Sequence, residues 1–368
     1  MGNLQKRHPK GLYLLFAVEM WERFSYYGMR ALLVLYLIQY LFKDLTKETA
    51  TLNAGYIYGW YTGLVYLTPI IGGYLADKFL GQRKCITIGM LIMAVGLFTL
   101  SISGITSLTA YSFYIFIFGL SLMIAANGFI KSNISTVVGL LYGEDKQKRD
   151  SGFTIFYMGI NLGSLFSPLV CGTIATLYGF KYGFIAAGIG AIIGLLTYKL
   201  GENKFLSETG KYPYKKNNKD SYDDKKLTDK EKRKLYVLFI LMFFSIIFWV
   251  CFEQAGCSMA LFAENETNRL INFLGISFKI PSQYFQSLNP MFILILAPLI
   301  SCLWSYLNNK NKEPDSIRKF SLALALIGIS FLVMSCAGHF AQYKLVSPIW
   351  LITAFFIATL ALFKTNFT

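Results

Sequence analysis

The segment Glu19-Met-Trp-Glu22-Arg23-Phe-Ser-Tyr26-Tyr27-Gly-Met-Arg30 sets two carboxylates and two guanidiniums inside an otherwise apolar run. At helical spacing Glu19, Glu22, Arg23, Tyr26, Tyr27 and Arg30 form one stripe along one face. A charge at the centre of a bilayer costs at least about 2.5–3.5 kcal/mol on insertion scales, so such residues pair and face a protein interior or a wet cavity. Two chemistries are open to the stripe: a site for protons or charged ligands within the membrane, or a structural ion-pair ladder. The other ionisable residues deep in apolar runs are Lys131 and Glu253, so three acids (Glu19, Glu22, Glu253) stand against three bases (Arg23, Arg30, Lys131). This balance predicts that the helices bearing them converge on one cavity. A zwitterion suits that cavity, with Arg30 and Lys131 clamping a carboxylate and an acid attracting an ammonium.

The elements that position these residues are membrane spans. In 368 residues, 55% are hydrophobic and only 15% charged, with a mean hydropathy of +0.48. That leaves too little polar surface for a soluble globule of this size. Ten spans are predicted, near 12–42, 52–78, 83–103, 109–142, 152–178, 181–200, 235–263, 284–307, 318–339 and 347–363. The net charge of +15 could suggest nucleic acid, but 26 of the 35 Lys and Arg fall in connecting segments on one side of these spans and six on the other. That bias reads as membrane topology with the N-terminus in the cytoplasm, and no nucleic-acid partner is expected. Residues 1–200 read as a six-helix bundle, 201–233 as a cytoplasmic linker and 234–368 as an incomplete four-helix bundle. The six cysteines lie singly with no C-x-x-C pair, and the only histidines are His8 and His339. Metal sites and histidine-based catalysis are therefore not expected. Without a nucleophile elbow or phosphate loop, neither is enzymatic activity.

After the second span, Gly72-Gly73-Tyr-Leu-Ala-Asp77-Lys78-Phe-Leu-Gly81-Gln-Arg83-Lys84 turns at once into the third. Asp77 can cap and pair there while Gly81 permits a tight reversal. The pattern resembles the loop of the major facilitator superfamily, in which Gly73, Asp77, Gly81 and Arg83 would make a gating element. The stripe narrows this: E-x-x-E-R-F-x-Y-Y is similar to the proton-dependent oligopeptide transporter family. Further resemblances follow in order: Gly128-Phe-Ile-Lys131-Ser-Asn133, where Ser132 replaces the family's proline; Phe153-Thr-Ile-Phe156-Tyr157-Met-Gly-Ile-Asn161-Leu-Gly163-Ser164; Phe252-Glu253-Gln254-Ala-Gly256; and Gln286-Ser-Leu-Asn289-Pro290.

The resemblance implies an all-α facilitator fold and proton-coupled symport of di- and tripeptides by alternating access. It uses the proton gradient and no cofactor, and works as a monomer in the lipid bilayer of the plasma membrane. It implies proton coupling by Glu19, Glu22, Arg23 and Glu253, the last gating against Arg30, and substrate binding by Tyr26, Tyr27, Arg30, Tyr66, Lys131, Asn161 and Asn289. Two readings stay open beside it: the same fold carrying nitrate or an organic anion, and a membrane protein that binds peptide without moving it. The family has twelve core helices, and near Ala361 to Phe363 its G-E-L pattern gives way to Ala-Leu-Phe-Lys-Thr-Asn-Phe-Thr. On that reading two helices and an ammonium-binding carboxylate are missing, and the 368-residue chain is expected to be an inactive, truncated transporter.

Overall fold

The computed structural model describes residues 8–105, 111–213, 228–273 and 276–365. The basic N-terminal residues used for topology and the centre of the predicted linker, 214–227, lie outside the described residues. The chain divides into two compact units, one comprising Met1–Tyr214 with Arg269–Leu294, the other Lys215–Asn268 with Ile295–Thr368.

Unit 1 contains six long helices: α1 (Lys10–Tyr36), α2 (Lys47–Leu75), α3 (Gln82–Ser103), α4 (Ser112–Leu140), α5 (Lys146–Tyr178) and α6 (Phe180–Phe205). They match the first six predicted spans. The start of α5 lies earlier than its apolar run predicts because Asp145 caps a polar first turn, accepting from the Lys148 N–H at 3.1 Å. Wider π-type turns over Leu37–Leu41 and Ala76–Leu80 extend α1 and α2. α1 is the axis of the unit, with twenty of its 27 residues buried, packed against α5 and α6. Small residues permit this closeness. A Cβ at Gly163 would collide with the Met20 carbonyl, and one at Gly28 would lie 2.7 Å from Cys171 Sγ.

Unit 1 also holds the hairpin of β1 (Leu270–Phe273) and β2 (Ile276–Lys279), a 3-10 turn over Ser282–Ser287 and the first part of α9 (Leu288–Asn309). The turn docks on α5: the hydroxyls of Thr173 and Tyr284 lie 2.7 Å apart, and Ser287 Oγ donates to the Leu165 carbonyl at 2.8 Å. Pro69, Pro168 and Pro298 sit within helices. Pro290 differs: the 3-10 turn before it places it in the first turn of α9, where a missing N–H costs no helical bond.

Unit 2 contains α7 (Asp229–Phe252), a 3-10 turn over Glu253–Gly256, the short α8 (Ser258–Asn265), the remainder of α9, α10 (Ser316–Ala341) and α11 (Ile349–Thr365). The span predicted at 235–263 is therefore interrupted, and Glu253 begins the interruption. Thr228 and Glu231 form a capping box at the start of α7. α10 and α11 pack together, with Ser330 Oγ donating to the Ala354 carbonyl at 2.8 Å. On α7 only Phe248 is buried, an apolar helix suited to hydrocarbon surroundings. Seven helical stretches among the described residues are long and apolar enough to cross a membrane. α1 misses that measure because of its charges, and α2 because glycine, tyrosine and threonine dilute it. The protein is an all-α, multi-pass membrane protein.

Candidate functional site: the charged face of α1

Arg23 Nε lies 2.9 Å from Glu19 Oε1 and 2.5 Å from Glu22 Oε2, and all three side chains are buried. One guanidinium thus bridges two carboxylates on consecutive turns, and Lys131 of α4 is within electrostatic reach of both acids. Burying one charge without a partner costs several kcal/mol, which is why the three occur together. The pairing still leaves Glu19 Oε2 and Arg23 Nη2 with no hydrogen bond among the described protein atoms. Such groups are primed for water or a ligand.

Two turns along the same face, the Arg30 Nε and Nη2 donate to the Tyr58 hydroxyl of α2 at 3.1 and 2.7 Å. Arg30 also lies over the Tyr27 ring, 5.7 Å from its centroid, and Arg23 over that of Tyr26 at 5.4 Å. Lys131 Nζ is 3.9 Å from the centroid of Tyr66, and Tyr26 stacks on Tyr61 at 6.3 Å. The aromatic faces attract the cations through their ring quadrupoles. Asn161 is buried on α5, its Nδ2 donating to the Tyr157 carbonyl at 2.9 Å. Ser132, in place of proline, donates to the Pro69 carbonyl at 3.2 Å, and α4 runs unbroken past Lys131. Unit 1 therefore gathers Glu19, Glu22, Arg23, Tyr26, Tyr27, Arg30, Tyr66, Lys131 and Asn161 on facing sides of α1, α2, α4 and α5. Asn289 lies in the first turn of α9, and Glu253 belongs to unit 2.

The α2–α3 turn makes the tight reversal expected at Gly81, while Asp77 provides no helix cap. Gly81 takes φ +79°, which L side chains rarely adopt, and a Cβ there would lie 2.6 Å from the Lys211 carbonyl. Asp77 Oδ1 accepts from Gln82 Nε2 at 2.8 Å. Arg83 donates through Nη1 to the Ser207 carbonyl and through Nη2 to Asn203 Oδ1, both at 2.6 Å, and its Nε reaches Glu202 Oε2 at 3.3 Å. Its backbone N–H donates to the Gly210 carbonyl at 2.9 Å. The turn is thereby fastened to the end of α6 and the chain leaving it.

Sequence reasoning missed Tyr58 and Tyr61. Their signal was present: Ala50, Ala54, Tyr58, Tyr61 and Val65 form a buried stripe on α2 at helical spacing. It also missed Asn127, fully buried one turn before Lys131, with neither amide atom hydrogen-bonded among the described protein atoms. Among the described residues no group of three or more His, Cys, Asp or Glu could hold a metal ion.

The sequence model of the POT family matches residues 83–221 and 206–366. An uncharacterized transporter of Bacillus subtilis, YclF, is 33% identical over 96% of this chain and 79% of its own length. A di-/tripeptide transporter of Lactococcus lactis subsp. lactis is also 33% identical, over 96% of this chain and 82% of its own. Among solved structures, that of a peptide transporter POT in complex with sulfate superposes with a TM-score of 0.77 at 31% identity, covering 98% of this chain and 81% of that one. A mutant of a peptide transporter POT in complex with alafosfalin gives 0.76 at 32%, covering 98% and 80%. With matches across nearly its whole length, the chain belongs to the POT family of membrane transporters, within the major facilitator superfamily.

Proposed function

We propose that this protein is a proton-coupled symporter of di- and tripeptides, working by alternating access in the plasma membrane with its N-terminus in the cytoplasm. The observation that carries the reading is Arg23 held between Glu19 and Glu22, one helical face with the bases Arg30 and Lys131. A peptide carboxylate is a ligand that two cations on facing helices can hold, and the named peptide transporters among the relatives support that choice. Proton coupling follows from the pair: when Arg23 parts from Glu22, a bare buried carboxylate costs several kcal/mol, so a proton joins it. Return of the guanidinium expels the proton. The gradient supplies the work and the bilayer the surroundings; no bound cofactor is needed.

In this scheme Glu19, Glu22, Arg23 and Glu253 handle protons, Arg30 and Lys131 hold the peptide carboxylate, and Tyr26, Tyr27, Tyr66, Asn161 and Asn289 line or bind the backbone. Gly73, Asp77, Gly81 and Arg83 form a gating element at the cytoplasmic end. Residues 1–200 and 234–368 act as the two moving bundles joined by the linker, in a monomer.

The test is uptake of labelled dialanine by vesicles holding the purified protein, acid outside. Uphill accumulation that collapses with a protonophore and is competed by free dipeptides supports the proposal. Dialanine uptake indifferent to the gradient overturns proton coupling, uptake of nitrate in its place overturns the substrate, and uptake of neither is the result that the inactive form expected from the sequence would give.

A further inference from the structure

Opposite its charged stripe, α1 borders a crevice of about 420 Å³ formed with α5 and α6. Its floor is Phe24, Gly163 and Gly190, and its rim includes Trp21, Phe166 and Ile189. Phe166 and Ile189 are 51% and 49% exposed, so no described part of the chain covers the opening. No lining side chain carries a charge or a hydroxyl. The crevice exists because the two glycines leave out side chains: a Cβ at Gly190 would lie 2.6 Å from the Phe24 ring.

Trp21, Gly163 and Gly190 stand near the midpoints of α1, α5 and α6, so in a bilayer the crevice opens at the depth of the hydrocarbon. Taking roughly 30 Å³ per methylene, about the share of one water in the liquid, it has room for about fourteen. That is the length of one lipid chain. A void left there would forfeit dispersion contacts along its walls, and no polar ligand finds a partner in it.

We propose that this crevice is a binding site for a single acyl chain of a membrane lipid, seated behind the proton-handling stripe. The occupant is a hydrocarbon tail, selected by shape, since bulk lipid is as apolar as the walls. Gly163 on its floor also packs against the backbone of the charged helix: a Cβ there would lie 3.1 Å from Arg23 Cβ. A seated chain therefore wedges α1 against α5 one helix thickness from the Glu19–Arg23–Glu22 bridge. This inference stands on the crevice alone and does not depend on the substrate.

Trp21 reports on the site directly. A protein keeping Trp21, with Trp60, Trp249, Trp304 and Trp350 changed to Phe, is reconstituted in phosphatidylcholine brominated at mid-chain. Fluorescence is expected to fall at least twofold relative to unbrominated lipid, along a curve fitted by one lipid site. Val170→Phe at the rim and Ala186→Phe in the wall fill the crevice and should each cut that quenching by half or more. As a second measurement, photolysis of the unaltered protein in lipid with a mid-chain diazirine should label residues 162–170 and 186–193. Trp21 fluorescence insensitive to bromine, as when a second copy of the chain covers this face, overturns the proposal. So does quenching that both filling variants leave unchanged, or labelling that avoids the two segments.

Discussion

The hydroxyls of Thr173 and Tyr284 meet at 2.7 Å across 111 residues of sequence, tying α5 to the turn that opens α9. Next to them, a Cβ at Gly172 would lie 2.7 Å from Gln283 Cβ. Under alternating access this contact has to part in each cycle. Cysteines replacing both Gly172 and Gln283 would start closer than the usual disulfide Cβ separation of about 3.5–4.5 Å, so α5 and the turn need to ease apart by about 1 Å to form the bond. The expected outcome is a cross-link under mild oxidation, seen by peptide mapping, that stops peptide uptake until reductant is added. Full uptake by the cross-linked protein would show that α5 and the turn move together.

Glu22→Gln mimics a permanently protonated acid beside Arg23. Uphill, gradient-driven accumulation of dipeptide should fall at least tenfold, while counterflow exchange in the absence of a gradient stays measurable. Unchanged accumulation in this variant would remove Glu22 from the coupling.

Arg23→Met tests the bridge itself. It leaves two buried carboxylates without their partner, a loss of about 3–5 kcal/mol, read as a lowered melting temperature in detergent. Adding Glu19→Gln and Glu22→Gln to the same protein should restore most of the stability, because the uncompensated charges are gone. Stability that stays low in the triple variant would assign the loss to packing.

Arg30→Ala and Lys131→Ala should each weaken free dipeptide binding by about 1.5–3 kcal/mol, the scale of a hydrogen bond to a charged group. C-terminally amidated peptides should lose much less. Tyr58→Phe, which removes the hydroxyl that accepts from Arg30, should fall between wild type and Arg30→Ala in the same calorimetric series.

Arg83→Ala removes the fork that holds Glu202, Asn203 and the Ser207 carbonyl. Limited proteolysis should then cut residues 206–213 at least several-fold faster. Arg83→Lys should restore little, because a single ammonium cannot reach three acceptors in the guanidinium plane. Equal cleavage rates in all three proteins would show that the segment is held by other contacts.

The charges of α1 were legible in the sequence because an ion in an apolar run has few explanations, and the helical repeat placed them on one face. The Gly81 turn was legible for a similar reason: only glycine takes its backbone angle at no cost. The partners of Arg83 were not, since Asn203 and Ser207 lie about 120 residues away and beyond the predicted end of the sixth span at 200. Tyr58 hid among 24 tyrosines, although its stripe with Ala54 and Tyr61 was there to be read. The break at Glu253–Gly256 was marked only by Glu253, Gln254 and Gly256 in an otherwise apolar run, where periodicity cannot separate one long helix from two. The crevice behind Trp21 was invisible because it is made by absent side chains on two helices.

The glycines that admit α1 so deeply also fix its azimuth. A roll by one residue turns the helix about 100° and would drive Phe24 or Met20 into the α5 backbone at Gly163, where not even a methyl group fits. The stripe therefore cannot be re-aimed by twisting α1. Glu22 and Arg23 therefore separate through their own side-chain torsions and not by rotation of the helix that carries them.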